Sequence, residues 1–258
     1  MEKIAPASLA EAWDNIGLQI GNHDDEAKGI MVALDPSLAA IEKAAERGFN
    51  LLLTHHPLFF SDIKSINLNS PMGQTIEAAI KGSVAIFTAH TNLDSVEGGV
   101  SDMLADVLLI EDRSPLEPAQ AEGHVKCGLG RIGTIKKRPR LKEITAEIKK
   151  ILDVPKVRVL GDLGKRIETV ALCGGSGGSL IHSASQQGAD LFISGDIRYH
   201  QAREAEELGL SIIDVGHFSS EKIVINGLKN ILKMQLDKKG FNIPLEKFSR
   251  EKEPFIIL

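Results

Sequence analysis

The strongest constraint on how this chain can fold is a repeat within it. Residues 29–54, GIMVALDPSLAAIEKAAERGFNLLLT, read as strand, small turn, helix, a glycine step and a second strand. Residues 168–194, ETVALCGGSGGSLIHSASQQGADLFIS, read in the same order. In that register Gly48 falls on Gly188, Asn50 on Asp190, Leu51 on Leu191 and Thr54 on Ser194. Further on, AIFTAHTNLD (85–94) lies over IIDVGHFSSE (212–221), which superposes His90 on His217 and Asp94 on Glu221. Strand-helix-strand units are common enough to coincide by chance. A matched H-x-x-x-acid pair at corresponding places is harder to obtain that way. The reading is a duplication: two related α/β halves, about 1–110 and 166–258, joined by a segment at 111–165.

Short β patterns alternating with amphipathic stretches fit an α/β fold with largely parallel sheet. Strands are expected at 30–34, 49–53, 84–88, 131–135, 157–160, 169–173, 190–194 and 210–215. Helices are expected at 99–109, 139–152 and 221–236, where apolar residues recur at helical spacing. A length of 258 residues suffices for a substantial core.

No apolar run approaches the roughly 20 residues that a membrane span needs. The start, MEKIAPASLAEAW, lacks a secretory pattern, and with two cysteines in the chain the expected setting is the reducing cytoplasm. Cys127 and Cys173 lie in or beside apolar, Gly-rich stretches and are expected as buried free thiols. A net charge of −5 argues against general nucleic-acid binding, and the basic run Lys136–Arg140 reads as a solvated loop.

The chemistry-bearing residues follow strand ends. His55 and His56 come after the apolar LLLT, Asp94 lies beyond the strand at 84–88, and His217 and Glu221 follow the strand at 210–215. Open α/β sheets place ligand sites at the carboxyl ends of their strands. Neighbours on an extended chain point to opposite sides, so His55 and His56 are better placed to serve two ions than to share one. His217 and Glu221, four apart, share a face if a helix begins near Gly216. Nitrogen and carboxylate donors together suit zinc, iron, manganese or magnesium, and the lack of cysteine argues against a closed structural zinc site. Taken singly, each residue has a bland reading, such as a backbone-bonded histidine or an N-capping Asp94. Their joint placement in two matching halves favours a site for two divalent ions between those halves.

The run Gly174–Ser179 joins a strand to a helix and matches neither a P-loop nor G-x-G-x-x-G. Its amides could hold a phosphate, and a tight strand-to-helix crossing explains it as well.

Four motifs carry a family resemblance: LAEAWDNIGLQIG (9–21), LLLTHHPLFF (51–60), HTNLDSVEGG (90–99) and SGDIRYHQAREAEELGLSIIDVGHFSSE (194–221). With GLGRIGTI (128–135) and VALCGGSGGSLI (170–181), they run through nearly the whole chain. The sequence resembles the NGG-interacting-factor-three (Nif-three-like) family, whose members are often labelled GTP cyclohydrolase 1 type 2 homologues. The resemblance implies a two-metal site at His55, His56, Asp94, His217 and Glu221, and a toroidal homohexamer. Longer relatives carry an inserted middle domain for which this chain has no room. His90 matches a motif histidine that is not among the usual direct ligands. A catalytic part, orienting Asp94 or exchanging protons with an activated water, suits it better. Asp14, Asn15, Tyr199 and His200 also lie in the motifs, with packing and substrate contact weighed equally.

The expected function is metal-dependent hydrolysis of a small molecule, a nucleotide or related phosphate compound, by metal-activated water. The alternative is a non-catalytic adaptor or metal-handling protein.

Overall fold

The repeat is visible in the strand order of two sheets. In the computed structural model, which describes residues 1–120 and 123–256, the chain begins with β1 (Gly17–Ile20), β2 (Ile30–Ala33), α1 (Leu38–Glu46) and β3 (Leu51–Thr54). α2 (Pro71–Lys81), β4 (Ala85–Thr88) and the five-residue α3 (Thr91–Ser95) follow. Then come α4 (Val100–Val107), β5 (Glu111–Pro118), β6 (Gly128–Thr134), α5 (Leu141–Ile151) and β7 (Arg158–Leu160). The second repeat continues through β8 (Thr169–Ser176), α6 (Ile181–Gln186), β9 (Leu191–Gly195), α7 (Tyr199–Glu207), β10 (Ser211–Asp214) and α8 (His217–Glu221). The chain closes with α9 (Ile223–Lys238) and β11 (Leu245–Lys247). Two compact units result: residues 1–93 with 224–251, and residues 94–223 with 252–258.

The first unit carries a sheet of order β1-β4-β3-β2-β11, and the second a sheet of order β5-β6-β8-β9-β10-β7. Each contains one identical arrangement, β1-β4-β3-β2 matching β7-β10-β9-β8. In both, three parallel strands carry an antiparallel strand on the flank of the third. The duplicated unit therefore starts one strand earlier than the sequence similarity does. The sheets are parallel at heart and antiparallel at β1, β5, β6 and β7.

Matched positions do matched work. Asn50 accepts from the Lys28 amide and donates to the Glu26 carbonyl, while Asp190 accepts from the Glu168 and Thr169 amides. Each thereby ties the loop before its repeat's first parallel strand. Gly48 and Gly188 end their helices at φ +70° and +76°, a conformation that costs side-chain-bearing residues. The register differs at one place. Leu51 pairs with Ala85 and Leu191 with Ser211, so Thr88 answers Asp214. The turn to His217 is thus one residue longer than the turn to His90, and Gly216 at φ +84° lies in it.

Local signals explain the elements. Ser37 and Ser70 cap α1 and α2, accepting from the amides of Ala40 and Gly73, and Pro71 occupies the first turn of α2. Met31, Leu52 and Ile86 pack with Ile41 and Ile76 in the first unit. In the second, Val170, Leu172, Leu191, Ile193 and Ile213 face Leu104, Leu141, Ile144 and Ile148. The alternate residues Ala171, Cys173, Phe192 and Ile212 face Ile181, Ala184 and Ala205. Such two-sided burial is why these strands read as continuous apolar runs. Cys127 and Cys173 are buried free thiols, as expected. Among the described residues no helix is long and apolar enough to cross a membrane.

Candidate metal centre

His55 and His56 directly follow β3, and His90 follows β4, the neighbouring strand. Parallel adjacency brings their rings together: His55 and His56 have centroids 5.1 Å apart, and His90 stands 5.2 and 5.7 Å from them. One nitrogen from each lies within 4.8 Å of the others, close enough for an ion.

The Nδ1 atoms are held in a consistent way. His55 Nδ1 is 2.9 Å from the Ala89 carbonyl oxygen, His56 Nδ1 2.7 Å from Asp35 Oδ1, and His90 Nδ1 2.9 Å from Asp14 Oδ1. A carbonyl or carboxylate oxygen can only accept, so Nδ1 carries the proton and Nε2 presents the electron pair. Metal-binding histidines are oriented in this manner. Asp14 is itself well anchored, its second oxygen accepting from the Thr91 amide at 3.0 Å and from the Thr91 hydroxyl. Burial opposes its ionisation, yet the hydrogen bonds from His90 and Thr91 prevail and hold its carboxyl down at about 2. Asn15 Nδ2 donates to the Phe59 carbonyl at 2.8 Å, which ties the Trp13–Asn15 segment to the chain beyond His56.

In the second unit His217 opens α8 and Glu221 closes it, with His217 Nε2 3.0 Å from Glu221 Oε2. His217 Nδ1 lies 2.9 Å from Asp196 Oδ2, repeating the arrangement of the other three histidines. Glu221 is buried and Asp94 half-buried. Burial first, then the nearby charges of Asp94 and Glu221, push the Cys173 thiol up, so it remains a protonated packing group. Buried carboxylates call for a cation or for strong donors, and carboxylates set with imidazole make a borderline-to-hard donor set. The residues present therefore fit a divalent ion.

The glycine run has a structural part. β8 continues to Ser176, and the Gly175 and Gly177 amides donate to Ser220 Oγ and Ser194 Oγ, each at 2.9 Å. Two of the amides that an anion would need are thus committed. A Cβ on Gly175, which has φ +62°, would stand 2.1 Å from Glu221 Oε1. The run is glycine-rich because β8 passes this close to α8. Tyr199 and His200 begin α7, both exposed, with rings 5.3 Å apart. Asp35 and Asp196 also follow strand ends, as the candidate site residues do, yet nothing in the sequence alone singles them out.

The family described as Duf34/NIF3 (NGG1p interacting factor 3) matches residues 1–254. A Clostridium perfringens protein called GTP cyclohydrolase 1 type 2 homolog is 38% identical over 92% of this chain and 90% of its own length. A Clostridium acetobutylicum protein of the same name is 32% identical over 95% and 91%. Among solved structures, a Bacillus cereus protein related to NIF3 superposes with a TM-score of 0.94 at 26% identity, covering 100% of this chain and 96% of that one. Reduced HcgD from Methanocaldococcus jannaschii gives 0.79 at 32% identity, over 95% and 93%.

Proposed function

The chain belongs to the Duf34/NIF3 family, and on that premise we propose that it is a metal-dependent hydrolase whose ions are held by His55, His56, Asp94, His217 and Glu221. The observation that carries this reading is the common orientation of four histidines, each held with Nδ1 against an oxygen acceptor. Five donors for two divalent ions leave coordination positions for water and substrate, as catalysis requires. Bound ions would supply Lewis acidity and lower the pKa of water. Zinc, iron, manganese and magnesium all suit these donors.

The protein's own groups do the rest. Asp35 and Asp196 fix the ring planes of His56 and His217. Asp14 accepts from His90 Nδ1 and fixes the plane of that imidazole, which is placed to exchange a proton with a bound substrate or water. The substrate class is a nucleotide or related phosphate compound, in line with the name its bacterial relatives carry. Cytoplasmic location and a toroidal homohexamer complete the proposal.

Elemental analysis of purified Asp94→Ala and Glu221→Ala variants tests the ligand set. Each should lose bound metal, and wild-type stoichiometry in both would refute the assignment. Protein loaded separately with zinc, manganese or iron should then turn over a member of a nucleotide panel. No turnover with any metal, together with reversible transfer of the ion to an acceptor, would favour metal handling instead.

A further inference from the structure

Two large aromatic side chains stand beside the histidines with most of their surface in solvent. Trp13 and Phe60 are each 66% exposed. Both meet the His90 ring nearly at right angles, Trp13 at 6.1 Å and 77° and Phe60 at 6.0 Å and 88° between centroids and planes. A single perpendicular neighbour cannot cover an aromatic ring, and among the described residues no other part of the chain buries these two.

Their backbones are nevertheless pinned. The Glu11 amide donates to Thr91 Oγ1 at 2.9 Å, Asp14 binds both His90 and Thr91, and Asn15 Nδ2 donates to the carbonyl of Phe59. A polar network on both sides of Trp13, and directly before Phe60, fixes two apolar rings where they gain little from burial. Exposed apolar groups on a rigid support beside convergent polar donors are the mark of a ligand site.

We propose that Trp13 and Phe60 grip the planar heteroaromatic ring of the substrate, a purine-type base, and hold it at His90. The inference deepens the hydrolase reading and rests on it for the place of the reaction. A flat π-system is the occupant that aromatic side chains recognise through stacking without a fixed hydrogen-bond pattern. The three histidine donors within 4.8 Å of one another set the reacting groups next to it.

Trp13 is the chain's single tryptophan, so intrinsic fluorescence reports on this ring alone. The full-length protein is titrated with guanosine monophosphate, and with ribose 5-phosphate as a probe lacking the base. Saturable quenching by the nucleotide and none by ribose 5-phosphate is expected. Phe60→Ala should weaken nucleotide binding about ten- to hundredfold, the usual loss for one stacking partner. Trp13→Leu, followed by equilibrium dialysis, should do the same. Both variants should keep the wild-type metal content and circular dichroism, which separates a lost base subsite from a lost metal centre or a lost fold.

Equal quenching by both probes, or unchanged affinity in Phe60→Ala, would overturn the proposal. So would a Trp13 signal that follows protein concentration and ignores nucleotide, because a second copy would then be what covers the rings. Any of these results alongside normal metal content and turnover leaves the hydrolase reading standing. Loss of metal binding in the Asp94 and Glu221 variants tests that reading separately.

Discussion

Gly175 decides how closely β8 can approach Glu221. With φ +62° and a would-be Cβ 2.1 Å from Glu221 Oε1 and 3.2 Å from His217 Nε2, any side chain there must displace the carboxylate. Gly188 is the control, with φ +76° and nothing within 4 Å of its would-be Cβ. Alanine at either position should cost about 1–2 kcal/mol in left-handed backbone strain. Only Gly175→Ala should also weaken metal binding, about 10- to 100-fold, as disturbing a ligand's support does. Titration calorimetry with zinc, alongside urea melts of both variants, separates the two effects; equal metal affinity in both would show that the close approach does not constrain the site. Asp14 makes a pH-dependent prediction. Its folded-state carboxyl, at about 2, lies below the ordinary 3.8, so its contribution is fully present above 3.8 and is lost as pH falls through about 2. Asp14→Asn should therefore be less stable than wild type at neutral pH, with the gap narrowing between pH 4 and 2. A gap that stays constant over that range would contradict this account of the Asp14–His90 pair.

At the scale of elements, what could be read from sequence follows burial. β2, β3, β4, β8, β9 and β10 lie close to their expected places because their side chains are apolar on both faces. Helices α4, α5 and α9 follow their apolar periodicity to within two residues at either end. β1, β5 and β11 were not legible, for reasons written in their composition. β5, EDRSPLEP, is a flanking strand with Leu116 as its one buried residue, and it contains prolines that a central strand would exclude. The candidate histidines are legible because strand ends are; Asp35 and Asp196 are not, because their partners are set by which strands lie side by side. Arg131 is a similar case. In sequence it is a charge in an apolar run, and in the structure it is 2% exposed. Its guanidinium donates to the carbonyls of Gly128, Gly130 and Val96 and to Asp102 Oδ2, joining β6 to α4. Arg131→Met would leave three carbonyls without that donor and the largely buried Asp102 carboxylate without its cation, with the Gly98 amide still donating to Oδ2. The expected loss is about 3–5 kcal/mol, read from urea denaturation. A loss below about 1 kcal/mol would mean that water or Arg113, 3.8 Å from Asp102, replaces it.

Across the whole molecule, the duplication explains why histidine–acid pairs recur but not why the two copies differ. The first copy surrounds its histidines with one another, whereas the second sets His217 against Glu221. The additional residue before His217 and the glycine-lined approach of β8 are the local changes that accompany this difference. Each unit has its own apolar core and its own sheet, so folding of either does not hinge on a metal in the way a zinc finger's does. Chelation should accordingly leave the far-ultraviolet circular dichroism unchanged while lowering the melting temperature. For an ion at about 100 times its Kd, the stabilisation withdrawn is about 2.7 kcal/mol, or roughly 5–10 °C for a chain of this size. Re-addition of zinc or manganese should restore the midpoint in wild type and fail to do so in Glu221→Ala. Collapse of the circular dichroism on chelation would make the ions structural rather than catalytic in character. An unchanged midpoint in protein shown to have lost its metal would mean that binding is too weak to serve as a resident centre. The intermediate outcome, a folded apoprotein with a lower midpoint, is the one that a pre-organised set of oriented imidazoles and carboxylates requires.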